Sequence, residues 1–281
     1  MKVVTLIENS PGDRKDLLHE HGLSFWIERE GKAIVFDTGA GSAFLHNANK
    51  LMIDTQRAES LLISHAHYDH AGGVRAFYEK NGNSIPLITG DGFFDPKFKS
   101  HAWGRNYIGI DFDLQWIQKM KIQHHTLKSA DGSTEIRELI PGIWAVCAYP
   151  RIMAEEKCDP CFMVERNGSS VPEIDDFRDE VCVAAEINNS LVIITACSHP
   201  GIINMLEAIK NKFKKEISAI LGGVHLLNAD NTRINKFLKY INSPEIICTG
   251  LCHCSGEAIV SRLKRNDKRY YSNAVGCSFY W

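Results

Sequence analysis

The stretch Leu61-Leu62-Ile63-Ser64-His65-Ala66-His67-Tyr68-Asp69-His70-Ala71-Gly72-Gly73 decides how the whole chain reads. Its apolar start predicts a short buried strand, and Gly72-Gly73 marks the end of the turn that follows. A strand fixes its own end, and the turn after it can fold several side chains back onto one point. Four metal-binding side chains, His65, His67, Asp69 and His70, fall within six positions here. Neutral imidazoles and a carboxylate gathered in this way suit zinc, iron or manganese. A lone histidine signifies little. Three histidines and an aspartate in one turn would make a poor core, because each unpaired buried polar group costs about 1–3 kcal/mol.

Upstream of this stretch, Val3 to Glu8 reads as an extended run. Leu23 to Glu28 and Ala33 to Asp37 flank Glu30-Gly31-Lys32, a hairpin-type turn. Phe44, Leu45, Ala48, Leu51 and Met52 recur at helical spacing and form a core stripe. From about Asp91 to Thr134 the pattern breaks down. Its aromatics, Phe93, Phe94, Phe98, Trp103, Tyr107, Phe112 and Trp116, have no clean period. The segment reads equally as a lid over the site or as a packing insertion. His124-His125 falls on a strand, where neighbours face opposite ways and cannot readily share a metal.

Downstream, strands and helices alternate. Val181 to Ile187 and Leu191 to Thr195 flank the turn Asn188-Asn189. A helix over Ile202 to Phe213, a strand over Ile217 to Leu221 and a helix over Asn231 to Ile241 follow. A strand over Ile246 to Thr249, a helix over Glu257 to Leu263 and a last strand over Ala274 to Tyr280 complete the chain. Strand-rich halves with helices after each sheet fit an α+β fold, a four-layer αββα sandwich. No repeat or linker interrupts the 281 residues, so a single domain spanning 1–281 is expected.

Composition narrows the function. The net charge is −2, and the mildly basic runs Lys212-Phe213-Lys214-Lys215 and Arg262 to Arg269 read as solvated faces, so no nucleic-acid partner is expected. No apolar run approaches the ~20 residues of a bilayer span. Met1-Lys2-Val3-Val4-Thr5-Leu6 is too short and strand-like for a signal peptide, and a cytoplasmic location is expected. Nine cysteines without an export signal favour free thiols over disulfides. Cys158-Asp159-Pro160-Cys161 and Cys252-His253-Cys254 are weak matches to a zinc or redox pair.

The His-x-His-x-Asp-His motif resembles the signature of the metallo-β-lactamase superfamily, and Phe36-Asp37-Thr38-Gly39 fits the strand that supports it there. Four further motifs occur in an order similar to one branch, the 7,8-dihydropterin-6-yl-methyl-4-(β-D-ribofuranosyl)aminobenzene-5′-phosphate synthase-like proteins. They are Glu20-His21-Gly22-Leu23-Ser24, Ala196-Cys197-Ser198-His199-Pro200-Gly201-Ile202, Gly222-Gly223-Val224-His225-Leu226 and His253-Cys254-Ser255-Gly256. The resemblance covers nearly the whole chain. It implies the metallo-β-lactamase fold, with a metal site at one edge between the sheets.

Two metals need more ligands than one motif supplies, and His199, His225 and His253 each follow a strand. His65, His67 and His199 are expected to hold one divalent ion, and Asp69, His70 and His253 the second. Zinc is expected, with manganese, iron and magnesium as alternatives. Asp37 is expected to orient a ligand imidazole from behind. The aspartate that usually bridges the ions in the wider superfamily has no counterpart, and Cys197-Ser198-His199 stands in that region. Asp69 and His225 are the expected catalytic groups, His225 as a donor to a phosphate oxygen or as a general acid. Its glycines would let backbone approach a ligand. Arg151, at a Pro-Arg position of the branch, reads either as a phosphate clamp or as a surface arginine.

Two activities follow. The first is hydrolysis of a phosphodiester or another phosphate-containing small molecule by a metal-bound hydroxide. The alternative is a transferase that condenses a dihydropterin methyl diphosphate with a ribofuranosyl-aminobenzene phosphate and releases pyrophosphate. β-Lactam hydrolysis ranks third. The oligomeric state is not legible.

Overall fold

The computed structural model describes residues 1–166, 168–169 and 171–281. Two large sheets face each other. The first has seven strands, in the order Ser278–Tyr280, Lys2–Ile7, Ser24–Arg29, Lys32–Phe36, Ala58–Leu62, Leu87–Gly90 and His124–Leu127. The second has six, in the order Cys248–Leu251, Ile217–Gly222, Ser190–Thr195, Val181–Ile187, Ile143–Cys147 and Glu135–Ile140.

Alternation along the strands sorts side chains into three apolar layers. Val3, Phe25, Ile27, Ile34 and Phe36 point to the middle and meet Ile143, Ala145, Val181, Val183, Val192 and Ile194 of the other sheet. Their neighbours Val4, Trp26 and Val35 point outward and meet Phe44, Ala48, Val74 and Phe77 of helices Ala43–Lys50 and Val74–Asn81. On the far side, Val146, Ala184, Leu191, Ile193 and Ile220 pack on Ile202, Leu206, Phe237 and Ile259 of helices Ile202–Phe213, Asn231–Ile241 and Glu257–Asn266. Helix, sheet, sheet, helix is the αββα sandwich. Among the described residues, no helix is long and apolar enough to cross a membrane.

Four details differ from the sequence reading. Met52, expected in the core stripe, lies beyond the end of helix Ala43–Lys50, where the backbone turns left-handed (φ 57°), and is exposed. The last strand starts at Ser278, because a turn occupies Ala274 to Cys277, with Gly276 at φ 82°. The strand expected at Ile246 to Thr249 runs instead over Cys248–Leu251, since Ile246 N–H donates to Ser243 O in a turn. Segment 91–134 is divided. Phe93 and Phe112 join the outer core, with Phe94 and Trp116 packed against it. Lys97–His101 and Gly104–Tyr107 form a small four-stranded sheet with Phe162–Val164 and Glu173–Ile174. Strand His124–Leu127 closes one edge of the seven-stranded sheet.

The three parallel strands Ser190–Thr195, Ile217–Gly222 and Cys248–Leu251 end side by side. Their carboxyl ends deliver His199, His225 and His253 to the same edge of the sandwich as the His65–His70 turn.

Candidate metal centre

Strand Ala58–Leu62 runs out through Ile63 and Ser64 into the histidine turn. His67 is extended (φ −85°, ψ 146°) and precedes a one-turn helix, Tyr68–Ala71, that carries Asp69 and His70. The turn is tied down by its own carbonyls. Asp69 O accepts from Leu23 N–H at 3.1 Å, and His70 O accepts from Thr38 N–H at 2.7 Å and Thr38 Oγ1 at 2.9 Å. Asp37, Ser198, His225 and His253 all have left-handed backbone, with φ of 62°, 67°, 47° and 53°. Such conformations cost non-glycine residues about 1–3 kcal/mol each and cluster where side chains must be aimed.

Two groups of donors result. His65, His67 and His199 each offer an atom within 4.8 Å of the others, and all three are buried. His65 Nε2 lies 3.1 Å from His67 Nδ1, and His199 Nε2 is buried without a partner. In the second group, His70 Nε2 faces His253 Nε2 at 3.2 Å, and Asp69 Oδ2 lies 3.8 Å from the first and 3.5 Å from the second.

The outer nitrogens decide what the inner ones carry. His70 Nδ1 donates to Asp37 Oδ2 at 2.7 Å. His253 Nδ1 donates to Asn9 Oδ1 at 2.9 Å, an oxygen that also accepts from Gly22 N–H. With both outer protons committed, two neutral rings would point lone pairs at each other across 3.2 Å. That gap requires a cation. A proton fills it when no metal is present. Burial works against a charge on His70, but the Asp69 and Asp37 carboxylates outweigh it and hold the ring up to about 9. Burial pushes His65, His67 and His199 well below the usual histidine range, and His253 down to about 4, so these rings are neutral donors. Burial opposes the charge on Asp69 too, yet the charge of His70 and a hydrogen bond from His21 hold it well below the usual carboxylate range. The donor set therefore fits divalent metal.

Asp37 does more than face His70. It also accepts from Ser64 N–H and Ser64 Oγ, both at 2.7 Å. Ser64 Oγ, its own proton given to Asp37, accepts from His65 Nδ1 at 2.9 Å. One buried carboxylate thus orients a ring from each group. Phe177 stacks flat on His199, with centroids 3.8 Å apart. Behind it, buried Lys97 bridges Asp175 at 2.7 Å and Asp179 at 2.8 Å, and Asp179 accepts from Ala66 N–H between the first two histidines at 2.8 Å.

The donors open onto a cleft of about 220 Å³, whose walls include His21, Lys99, Phe162, His225 and Asn228. Burial, with Arg233 nearby, holds His225 down to about 4. Gly222 and Gly223 before it serve the backbone itself. A Cβ on either would stand 1.9 Å from Thr195 O or 2.1 Å from Ala196 O, so they permit close strand packing and do not line the cleft. Arg151 is not brought to the cleft. It is exposed, its guanidinium donates to Asp176 O, and it borders a separate hollow with Lys128 and Arg178.

Four residues around the centre received no role from the sequence reading. His21 Nε2 contacts Asp69 Oδ2 at 3.1 Å, Asn9 holds His253, and Lys99 lines the cleft. Cys197 Sγ lies 3.3 Å from His70 Nε2. His21 and Cys197 stand inside motifs already noticed, and the signal was there. Lys99, on a short strand of the small sheet, had none.

The chain belongs to the metallo-β-lactamase superfamily, a class of metal-dependent enzymes, and its fold implies divalent metal binding. Residues 19–118 match that superfamily directly. Within it, the chain is 30% identical over 270 residues to the 7,8-dihydropterin-6-methyl-4-(β-D-ribofuranosyl)-aminobenzene-5′-phosphate synthase of Methanocaldococcus jannaschii, covering 91% of this chain and 88% of the relative. The crystal structure of a metal-dependent hydrolase of the β-lactamase superfamily superposes with a TM-score of 0.83 at 28% identity, covering 100% of this chain and 99% of the other. Zinc-bound PqqB from Methylobacterium extorquens shares the fold, with a TM-score of 0.61 at 11% identity and 100% of both chains covered.

Proposed function

We propose that this chain is a metal-dependent hydrolase of small phosphate-containing molecules, with phosphodiesters as the first class to test. The observation that carries the reading is the pair of donor groups, with ring nitrogens facing across 3.1 and 3.2 Å, at the base of a cleft that also holds Lys99 and His225. His65, His67 and His199 would hold one ion, and Asp69, His70 and His253 the other, with zinc expected. Bound divalent ions supply Lewis acidity to phosphoryl oxygens and acidify water near neutral pH. Lys99 supplies positive charge for a phosphate at the cleft wall. His225, kept neutral by its burial, offers an N–H to a phosphate oxygen, a role that fits it better than general acid. Arg151, outside the cleft, takes no part in this scheme. The test is turnover of an activated phosphodiester. His67→Ala is expected to abolish it, and retained turnover would end the reading.

The 30% identity to the synthase favours a second reading, in which the same centre activates a diphosphate leaving group for transfer. Release of pyrophosphate only when both the dihydropterin diphosphate and the aminobenzene phosphate are supplied would select it over hydrolysis.

A further inference from the structure

Cys197 sits where the two donor groups meet. Its sulfur lies 3.3 Å from His70 Nε2 in the second group. It also clusters within 4.8 Å with His65 of the first group, and separately with His253 and Cys254. No other residue among the described ones falls into donor clusters with His65, His70 and His253 together. The side chain is buried, so solvent does not explain its placement. The same clusters contain one carboxylate, that of Asp69, which belongs to the second group alone. Two cations held by the two groups would therefore lack an anionic ligand between them.

We propose that the Cys197 thiolate is the ligand shared between the two metal positions. The inference rests on the metal-centre reading above and deepens it. On binding, the S–H bond breaks, the proton leaves to solvent, and sulfur lone pairs go to the two cations. Cys254 is the other sulfur nearby. Its S–H is directed at the carbonyls of Cys197, at 3.6 Å, and Ala196, at 3.9 Å, so it is engaged outside the space between the groups. A shared thiolate makes the centre soft. It favours zinc, iron or cobalt and disfavours magnesium and manganese, which prefer oxygen ligands.

The experiment is reconstitution of the metal-stripped full chain with cobalt(II), read by near-ultraviolet absorption and by metal content. The wild type should bind about two ions, as a two-metal centre requires, and show a sulfur-to-cobalt charge-transfer band. Cys197→Ser should lose the band and fall to about one ion, while Cys254→Ser should keep both signals. Two cobalt ions without the band in the wild type would overturn the assignment, whatever the variants do, and leave the metal centre standing. A band that survives Cys197→Ser, or disappears in Cys254→Ser, would overturn it in favour of another sulfur. Failure of the wild type to bind cobalt at all would sink the metal-centre reading itself.

Discussion

Asp37 shows how much a single side chain can organise. Its two oxygens take a backbone N–H, a hydroxyl and an imidazole N–H, and through Ser64 it reaches a second imidazole. Asp37→Asn keeps the shape but swaps an acceptor for a donor. It is expected to weaken metal affinity about 10–100-fold, as loss of an outer-shell partner does, and competition with a chelator measures this. His70 sets a pH dependence. Without metal its ring stays protonated up to about 9, above the usual 6.5. That proton stabilises the metal-free fold below about 6.5, and the contribution is lost as pH rises through about 9. An incoming ion must expel it, so this proton makes apparent affinity rise with pH up to about 9, beyond which the Cys197 thiol proton is the one still to be displaced. Calorimetry on Cys197→Ser, which removes the thiol proton from the count, in buffers of different ionisation enthalpy should detect the proton released from His70 near neutrality; its absence would mean the ring is already neutral. At this scale the sequence was most legible where ligands are contiguous, as in His65 to His70. Lys99 was opaque because only folding brings it beside the histidines.

Among the elements, the small four-stranded sheet was the hardest to read. Its strands are short, and Gly104–Tyr107 is exposed along its whole length, so no hydrophobic alternation announces it. The parallel strands of the second sheet were easier, because burial on both faces makes Ser190–Thr195 and Ile217–Gly222 almost continuously apolar. The small sheet is joined to the centre by the ion pairs of Lys97, which is 2% exposed. Lys97→Met would leave buried Asp179 without a countercharge, and Asp175 with only Arg166 at 3.4 Å. Breaking a buried pair in this way is expected to cost about 3–5 kcal/mol, and denaturant unfolding measures it. A smaller loss, under about 1 kcal/mol, would mean that the carboxylates rearrange towards solvent as surface pairs do.

For the whole molecule, the αββα plan was legible because the two periodicities, of strands and of helices, alternate in the right order along the chain. The metal positions draw on both halves, His65 to His70 from one sheet and His199 and His253 from the other. A bound ion therefore links the halves, and chelation should lower the melting temperature. At free metal 100-fold above Kd the stabilisation is about 2.7 kcal/mol; an unchanged melting temperature would mean the ion does not bind the folded state preferentially. Another link between distant parts is the pairing of the first strand with the last, Lys2 opposite Tyr280, where the Met1 amino group donates to Trp281 O, 280 positions away in sequence. A growing polypeptide that has not reached residue 278 carries Lys2–Ile7 with one flank unzipped, its amides and carbonyls free to recruit another nascent chain. Aggregation during synthesis should thus depend on how soon the tail arrives, and a circular permutant that presents the tail strand early should give more soluble protein.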